Sequence, residues 1–214
     1  MKSKKVFIFI NGKMGDENSI KNIIQDHDYI VAVDGGYQHL KNISIMPDVI
    51  IGDMDSIDPD DLCRLQKENI EIMQYPREKD ETDLEIALNH VINLGYDKIV
   101  IVAAFGGRLD QMLTNLLMLK KPMLNDRTVI YFDGLEYVHL ISSSLIIRGS
   151  IGDRVSLIPF FGPVHGISTM GLKYQLVNES LYPEQSRGVS NVITEKEVKI
   201  EIKSGQLICI HTNL

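Results

Sequence analysis

The feature that most constrains this chain is a theme repeated from residue 5 to about residue 132: a short, β-branched, nearly all-apolar run ending in a polar turn, then a helical pattern. The runs are Val6–Ile10, Tyr29–Val33, Val49–Ile51, Ile70–Met73, Lys98–Ala103 and Thr128–Phe132. Helical candidates lie between several of them, at Ser19–Gln25, Pro59–Lys67, Asp83–Leu94 and Leu109–Leu119. Runs without apolar/polar alternation belong to strands buried on both faces, and their alternation with helices implies a parallel sheet. After Phe132 the pattern changes. Glu136–Ile141, Leu145–Arg148, Arg154–Pro159, Gly171–Leu176, Glu197–Lys203 and Gln206–His211 are short, carry turn residues between them and leave no room for a helix. Val198–Lys203 alternates strictly, as a half-exposed antiparallel strand does. The expected fold class is therefore α/β: an N-terminal, mostly parallel, Rossmann-like sheet with helices over 1–138, and a C-terminal all-β sandwich over 139–214. Asp133-Gly134 and Ser142-Ser143-Ser144 punctuate the junction.

Composition narrows the function classes. With 214 residues and 44% apolar content, the chain buries one substantial core, or one medium and one small. A formal net charge of −7 without any basic block speaks against a nucleic-acid partner. Cys63 and Cys209 form no C-x-x-C pair, which argues against a zinc site and for a reducing, cytoplasmic compartment. The N-terminus starts basic and turns apolar, but the run breaks at Asn11-Gly12-Lys13, too early for a signal peptide, and reads as a first buried strand. No segment approaches 18 uninterrupted apolar residues, so no membrane span is expected.

Ligands of open α/β sheets bind beyond the carboxyl ends of the parallel strands. Four of these ends are unusual. After Val33 comes Asp34-Gly35-Gly36, whose glycines allow close approach of backbone to a ligand. After Ile51 comes Gly52-Asp53-Met54-Asp55-Ser56; if the chain stays extended, Asp53 and Asp55 point the same way, and two such carboxylates suit Mg²⁺ with substrate phosphates. The plainer alternative is an Asp-rich turn. After Met73 comes Lys79-Asp80-Glu81-Thr82-Asp83-Leu84-Glu85, where Thr82 and Glu85 form a capping box and leave Lys79, Asp80 and Asp83 available. The fourth, Phe105-Gly106-Gly107-Arg108-Leu109-Asp110-Gln111, is a Gly-rich turn opening a helix, suited to a phosphate, with the Arg108 guanidinium fork beside it. It matches neither the Walker pattern nor G-x-G-x-x-G.

These four segments, in this order and spacing, together with Gly171-Leu172-Lys173-Tyr174 and Ser186-Arg187-Gly188-Val189-Ser190-Asn191, resemble the thiamin pyrophosphokinase family over nearly the whole chain. The resemblance implies a homodimer with composite active sites, each between the α/β domain of one subunit and the β domain of the other. The implied reaction transfers pyrophosphate from ATP to thiamin, giving thiamin diphosphate and AMP. It places Asp53, Asp55 and Asp83 on Mg²⁺, and Arg108 with Lys79 on phosphoryl oxygens. Asp34, Gly35, Thr82, Gly106, Gly107 and Gln111 fall to the nucleotide, with Asp110 and Gln111 also near thiamin. Tyr174, Ser186, Arg187, Ser190 and Asn191 fall to thiamin. The chain has no Trp, so Tyr174 would supply the ring that some relatives provide with Trp. No general base is assigned. Two other readings stay open at this point: a Mg²⁺-dependent phosphohydrolase, and a non-catalytic thiamin- or nucleotide-binding sensor.

Overall fold

The computed structural model describes residues 5–214; the basic start at residues 1–4 lies outside the described residues. The chain forms two compact units that meet in sequence at Gly134 and Leu135. The last residue of the first unit, Gly134, has a φ of +104° that few other residues adopt. Among the described residues no helix is long and apolar enough to cross a membrane.

In the first unit, β1 (Lys5–Phe9), β2 (Tyr29–Val33), β3 (Val49–Gly52), β4 (Glu71–Gln74), β5 (Lys98–Val102) and β6 (Thr128–Phe132) lie in the order β6-β5-β1-β2-β3-β4. Every pairing within this series is parallel, with Val6 opposite Tyr29 on one side and Ile99 on the other. The apolar runs are buried as their composition requires: Val6, Phe7, Ile8 and Phe9 of β1 expose no surface, nor do Val49, Ile50 and Ile51 of β3. The strand order reverses at β1, since the chain proceeds from β1 toward β4 on one side and crosses to β5 and β6 on the other. A crevice at the carboxyl ends of β1 and β5 is the consequence.

The connecting helices are α1 (Glu17–Ile23), α2 (Gly36–Asn42), α3 (Pro59–Lys67), α4 (Asp83–Asn93) and α5 (Leu109–Leu117). Asp58 caps α3 by accepting the Asp60 N–H at 2.9 Å, with Pro59 in the first turn where its missing N–H is harmless. Thr82 caps α4, accepting the Glu85 N–H at 3.2 Å, but the carboxylate of Glu85 turns to Lys121, so the capping box expected from the sequence is used in one direction only. The short α2 is absent from the helical candidates above, because Tyr37 and Leu40 alone give too brief an apolar spacing to stand out. The last turn expected of α5 tightens into a 3-10 turn over Met118–Lys120.

The second unit is all β. One antiparallel set is β12 (Asn191–Val192), β9 (Arg154–Pro159), β14 (Leu207–Thr212) and β7 (Glu136–Ile141); the other is β11 (Glu179–Leu181), β10 (Val164–Met170), β13 (Glu197–Glu201) and β8 (Ser144–Arg148). One apolar core is shared by both, with Ile141, Leu157 and Leu207 from the first and Ile147, Ile167 and Ile200 from the second. Gly171–Leu176 is not the strand expected from its sequence. Gly171 has φ +78°, and the segment folds back so that the Thr169 N–H reaches the Leu176 carbonyl and the Thr169 hydroxyl accepts the Leu176 N–H. The strand lies just before it, as β10, hidden from pattern reading by Gly166 at φ +69° and a register irregularity against β11.

A stack of rings occupies β7 and β14. Tyr137 stacks on both His139 and His211, and His211 Nε2 lies 3.0 Å from the buried Asp153 carboxylate, which also accepts the Ser150 and Leu214 N–H groups. Burial, with His211 close by, pushes His139 down to about 4. A histidine depressed in the folded state stabilises fully above its unfolded value of about 6.5, and that stability is lost as pH falls toward 4. Urea unfolding at pH 7.5, 5.5 and 4.5 should show a decline over this window. His139→Phe, which keeps a ring against Tyr137, should flatten about 2 kcal/mol of it; identical pH profiles for both proteins would refute the assignment.

Candidate functional site

Carboxylates converge beyond β2, β3 and the start of α4. Asp34 ends β2 at φ +45° and accepts the Asp53 N–H at 2.9 Å. Gly52, which ends β3 at φ +150°, has to be glycine, since a Cβ there would occupy the Asp34 carboxylate. Asp53 and Asp55 do not sit at alternate positions of extended chain, as the sequence reading expects. The strand stops at Gly52, buried Met54 takes φ +68°, and Asp53 accepts the Asp55 N–H at 3.0 Å. The pair lies on an Asx-type turn whose own hydrogen bond fixes it. Asp55 is exposed and faces Arg77 at 3.6 Å, with the Ser56 hydroxyl 3.0 Å away.

The charge balance here is uneven. Burial, and then the charge and hydrogen-bonding contact of the Asp83 carboxyl and the charge of Asp53, raise Asp34 to about 7. Asp53 is held low, chiefly by the Asp55 N–H, with Lys79 and Arg77 adding to the effect. Lys79 approaches Asp83 Oδ1 at 2.8 Å and donates to the Pro76 carbonyl at 2.9 Å. Asp83 Oδ1 is nevertheless buried without a hydrogen bond. Among the described residues no three or more His, Cys, Asp and Glu side chains are already gathered as a metal site. A buried carboxylate oxygen with an ion-pair partner but no hydrogen bond, beside an Asp34 whose charge is resisted by burial and by like charges, is nonetheless what a hard, oxygen-liganded cation would relieve.

Asp34, Thr82 and Asp83 line a cavity of about 460 Å³ together with Gly107, Arg108, Asp110 and Gln111. Asp53, Asp55, Lys79, Gly35 and Gly106 do not line it directly, though Asp53 and Lys79 bear on its carboxylates through the contacts above. The Arg108 fork is engaged within the turn: Nε donates to Asp110 Oδ1 at 3.1 Å and Nη2 to Oδ2 at 2.5 Å, while Asp110 also accepts the Gln111 N–H at 3.0 Å. That pair holds Arg108 above and Asp110 below their usual ranges. Gly107 has open space where a side chain would stand and no left-handed φ, so nothing in the fold itself demands glycine there.

Sequence reasoning overlooked the carboxyl end of β1. Asn11 and Gly12 line the cavity, Asn11 lies directly against Gly35, and His39 Nε2 is 3.0 Å from the Gly12 carbonyl. The signal was present, since Asn11-Gly12 follows an apolar run exactly as the other four polar ends do. Further along α5, Thr114 and Asn115 also face the cavity, and Asn115 Nδ2 holds the Ala104 carbonyl at 2.9 Å.

The second unit holds the remaining candidates. Asn191 is buried and clamps Tyr174, accepting its N–H at 3.0 Å and donating to its carbonyl at 2.7 Å. Tyr174 is left 63% exposed, with the Lys173 ammonium 5.4 Å from its ring centre. Ser190, at φ +58°, donates its N–H to Ser156 Oγ at 3.0 Å. Arg187 pairs with Glu179, and Ser186 is exposed. Tyr174, Ser190 and Asn191 are thus brought together, and Arg187 is committed to a neighbouring carboxylate.

Comparison with known proteins separates the same two regions. Residues 20–132 match the family model described as thiamin pyrophosphokinase, catalytic domain, and residues 141–207 match thiamin pyrophosphokinase, vitamin B1 binding domain. A thiamine pyrophosphokinase of Bacillus subtilis (strain 168) is 28% identical over 201 residues, covering 90% of this chain and 94% of its own. Thiamine pyrophosphokinase 1 of Oryza sativa subsp. japonica is 31% identical over 164 residues, 72% of this chain and 62% of its own. The crystal structure of the Bacillus subtilis enzyme superposes with a TM-score of 0.87 at 25% identity, over 99% of this chain and 100% of that one. Yeast thiamin pyrophosphokinase shares the fold, with a TM-score of 0.82 at 18% identity over 100% of this chain and 87% of that one. With both of its regions matched and relatives spanning most of its length, the chain belongs to the thiamin pyrophosphokinase family.

Proposed function

We propose that this protein is a thiamin diphosphokinase. Its reaction joins the hydroxyl oxygen of thiamin to the β-phosphorus of ATP. The bond from that phosphorus to the α–β bridging oxygen breaks, AMP leaves with that oxygen, and the hydroxyl proton is lost. The observation that carries the reading is that the carboxylates after β2 and at the start of α4, Asp34 and Asp83, line one cavity together with Gly107 and Arg108, in a chain matching both family regions. Little covalent chemistry is asked of the protein, so positioning and electrostatics carry the rate.

Asp53, Asp55 and Asp83 are the proposed Mg²⁺ ligands, with Asp34 behind them holding the Asp53 backbone. Bound Mg²⁺ would neutralise the polyphosphate and draw charge from the breaking bond. Arg108, released from Asp110, and Lys79 would meet phosphoryl oxygens. Gly35, Thr82, Gly106, Gly107 and Gln111 would border the nucleotide, and Asp110 and Gln111 also thiamin. Around Tyr174, Ser186, Arg187 and Ser190 would border thiamin, with Asn191 acting through the Tyr174 loop it clamps. We further propose a Rossmann-like first domain, a β-sandwich second domain and a homodimer whose composite sites each take one domain from either subunit. The free Cys63 and Cys209 support a cytoplasmic setting.

The deciding assay measures AMP from ATP with and without thiamin, in Mg²⁺ and then in EDTA. AMP that appears only with thiamin and metal supports the kinase; phosphate release from ATP alone would support a hydrolase, and binding without turnover a sensor.

Asp53→Asn should fold and lose about 10²–10³ in turnover at saturating Mg²⁺. Mixing it with an Asn191→Ala subunit under chain exchange should restore about half the native activity per heterodimer, as two-fold assembly of composite sites requires. An inactive mixture containing heterodimers shown by mass spectrometry would overturn the composite site.

Gly107→Ala tests close approach of the turn to phosphate. Because the fold leaves room for a methyl group there, melting should stay within about 1 °C while the Michaelis constant for ATP rises about tenfold or more. An unchanged constant would remove the turn from the nucleotide site.

A further inference from the structure

We infer that Lys13 is a phosphate-binding residue of the nucleotide site, an inference that rests on the kinase reading above. Lys13 follows Asn11 and Gly12 at the carboxyl end of β1, where the strand order reverses and ligands of parallel sheets bind. Its backbone is fixed there: the Lys13 N–H donates to the Phe105 carbonyl at 2.7 Å, and the Gly12 N–H to the Ala103 carbonyl at 2.8 Å. Its side chain lies against Gly106, the residue before the cavity-lining Gly107. A Cβ built on Gly106 would stand 2.8–2.9 Å from Lys13 Cβ, Cγ and Cδ, so the lysine stem fills the space that glycine leaves open. Gly106 is therefore glycine for two reasons, its φ of +85° and the stem above it, whereas its neighbour Gly107 faces the cavity.

Charge accounting picks out the same residue. Arg108 is engaged by Asp110, Lys79 by Asp83 and Arg77 by Asp55. The Lys13 ammonium has no hydrogen bond or ion-pair partner among the described residues. A cavity walled by Asp34, Asp83 and Asp110 repels a polyphosphate until cations are supplied. Lys13 provides a positive charge that no protein carboxylate has to release first, and a lysine meets phosphate as a mobile point charge. Arg108, by contrast, exchanges Asp110 for substrate.

The test compares Lys13→Met and Lys13→Arg with the native chain by calorimetric titration of ATP and of adenosine in Mg²⁺, at two salt concentrations. Met keeps the unbranched stem over Gly106 and removes only the charge, so circular dichroism and melting should be unchanged. The expected result for Lys13→Met is ATP affinity lower by about tenfold, weaker salt dependence and unaltered adenosine affinity. Lys13→Arg should stay within about threefold of native for ATP. Native-like ATP affinity in Lys13→Met, or equal losses for ATP and adenosine, would overturn the assignment. Native protein that binds ATP in this Lys13-dependent way yet forms no AMP with thiamin would refute the kinase reading and leave the phosphate contact standing. Native protein that binds no ATP would overturn both.

Discussion

Past its last residue, β1 stays enclosed by backbone on two sides, and the site is built around that enclosure. Gly36 lets the start of α2 come against the Phe9 carbonyl, and Gly12 lets the chain lie against the Ala103 carbonyl; a side chain at either place would collide with peptide oxygen. Hydrogen bonds from Ile10, Gly12 and Lys13 to Val102, Ala103 and Phe105 then carry the pairing of β1 with the β5 segment beyond the regular sheet. The turn at Gly106 and Gly107 therefore inherits its position from the sheet. Such backbone contact leaves the loop little freedom, which is what a site that works by positioning needs.

Opposed to this rigidity is a surplus of negative charge. Asp34 holds the Asp53 backbone, Asp83 is paired with Lys79, and burial together with the charges of Asp83 and Asp53 raises the Asp34 carboxyl to about 7. Nearby cations are divided among these and other carboxylates. Gathering like charges in this way has a cost that fold stability elsewhere has to offset. In the second unit polar groups are instead matched locally, as with Asn191 on the Tyr174 backbone and Asp153 on His211.

The parallel sheet was legible because a strand buried on both faces cannot hide its composition: all six apolar runs of the first unit appear as strands within a residue or two. Asp83, Arg108, Asp110 and Gln111 line the cavity for a related reason, since each stands at the start of the helix that follows a strand and its turn. What escaped was conformation at single residues. Nothing in Gly52-Asp53-Met54-Asp55 says that Met54 will turn left-handed and end the alternation. Likewise β10 is interrupted by Gly166, and the adjacent Gly171–Leu176, apolar enough to pass for a strand, is tied back by Thr169. Asn11 is missed because the break after Ile10 serves only to set aside a signal peptide, and the polar end of that first buried strand is not read with the other four.

The position of β1 also carries a consequence in time. Its pairing with β2 needs only the first few dozen residues, Val6 meeting Tyr29, whereas its other edge waits for β5, with Lys5 opposite Lys98. As the chain emerges from the ribosome, that second edge stays bare through the synthesis of three further helices and two strands. A bare strand edge, apolar from Val6 to Phe9, is the kind of surface that recruits the wrong partner. The crevice between β1 and β5 is thus among the last features of the first unit to form, and slow synthesis before residue 98 would prolong the interval in which aggregation competes with folding.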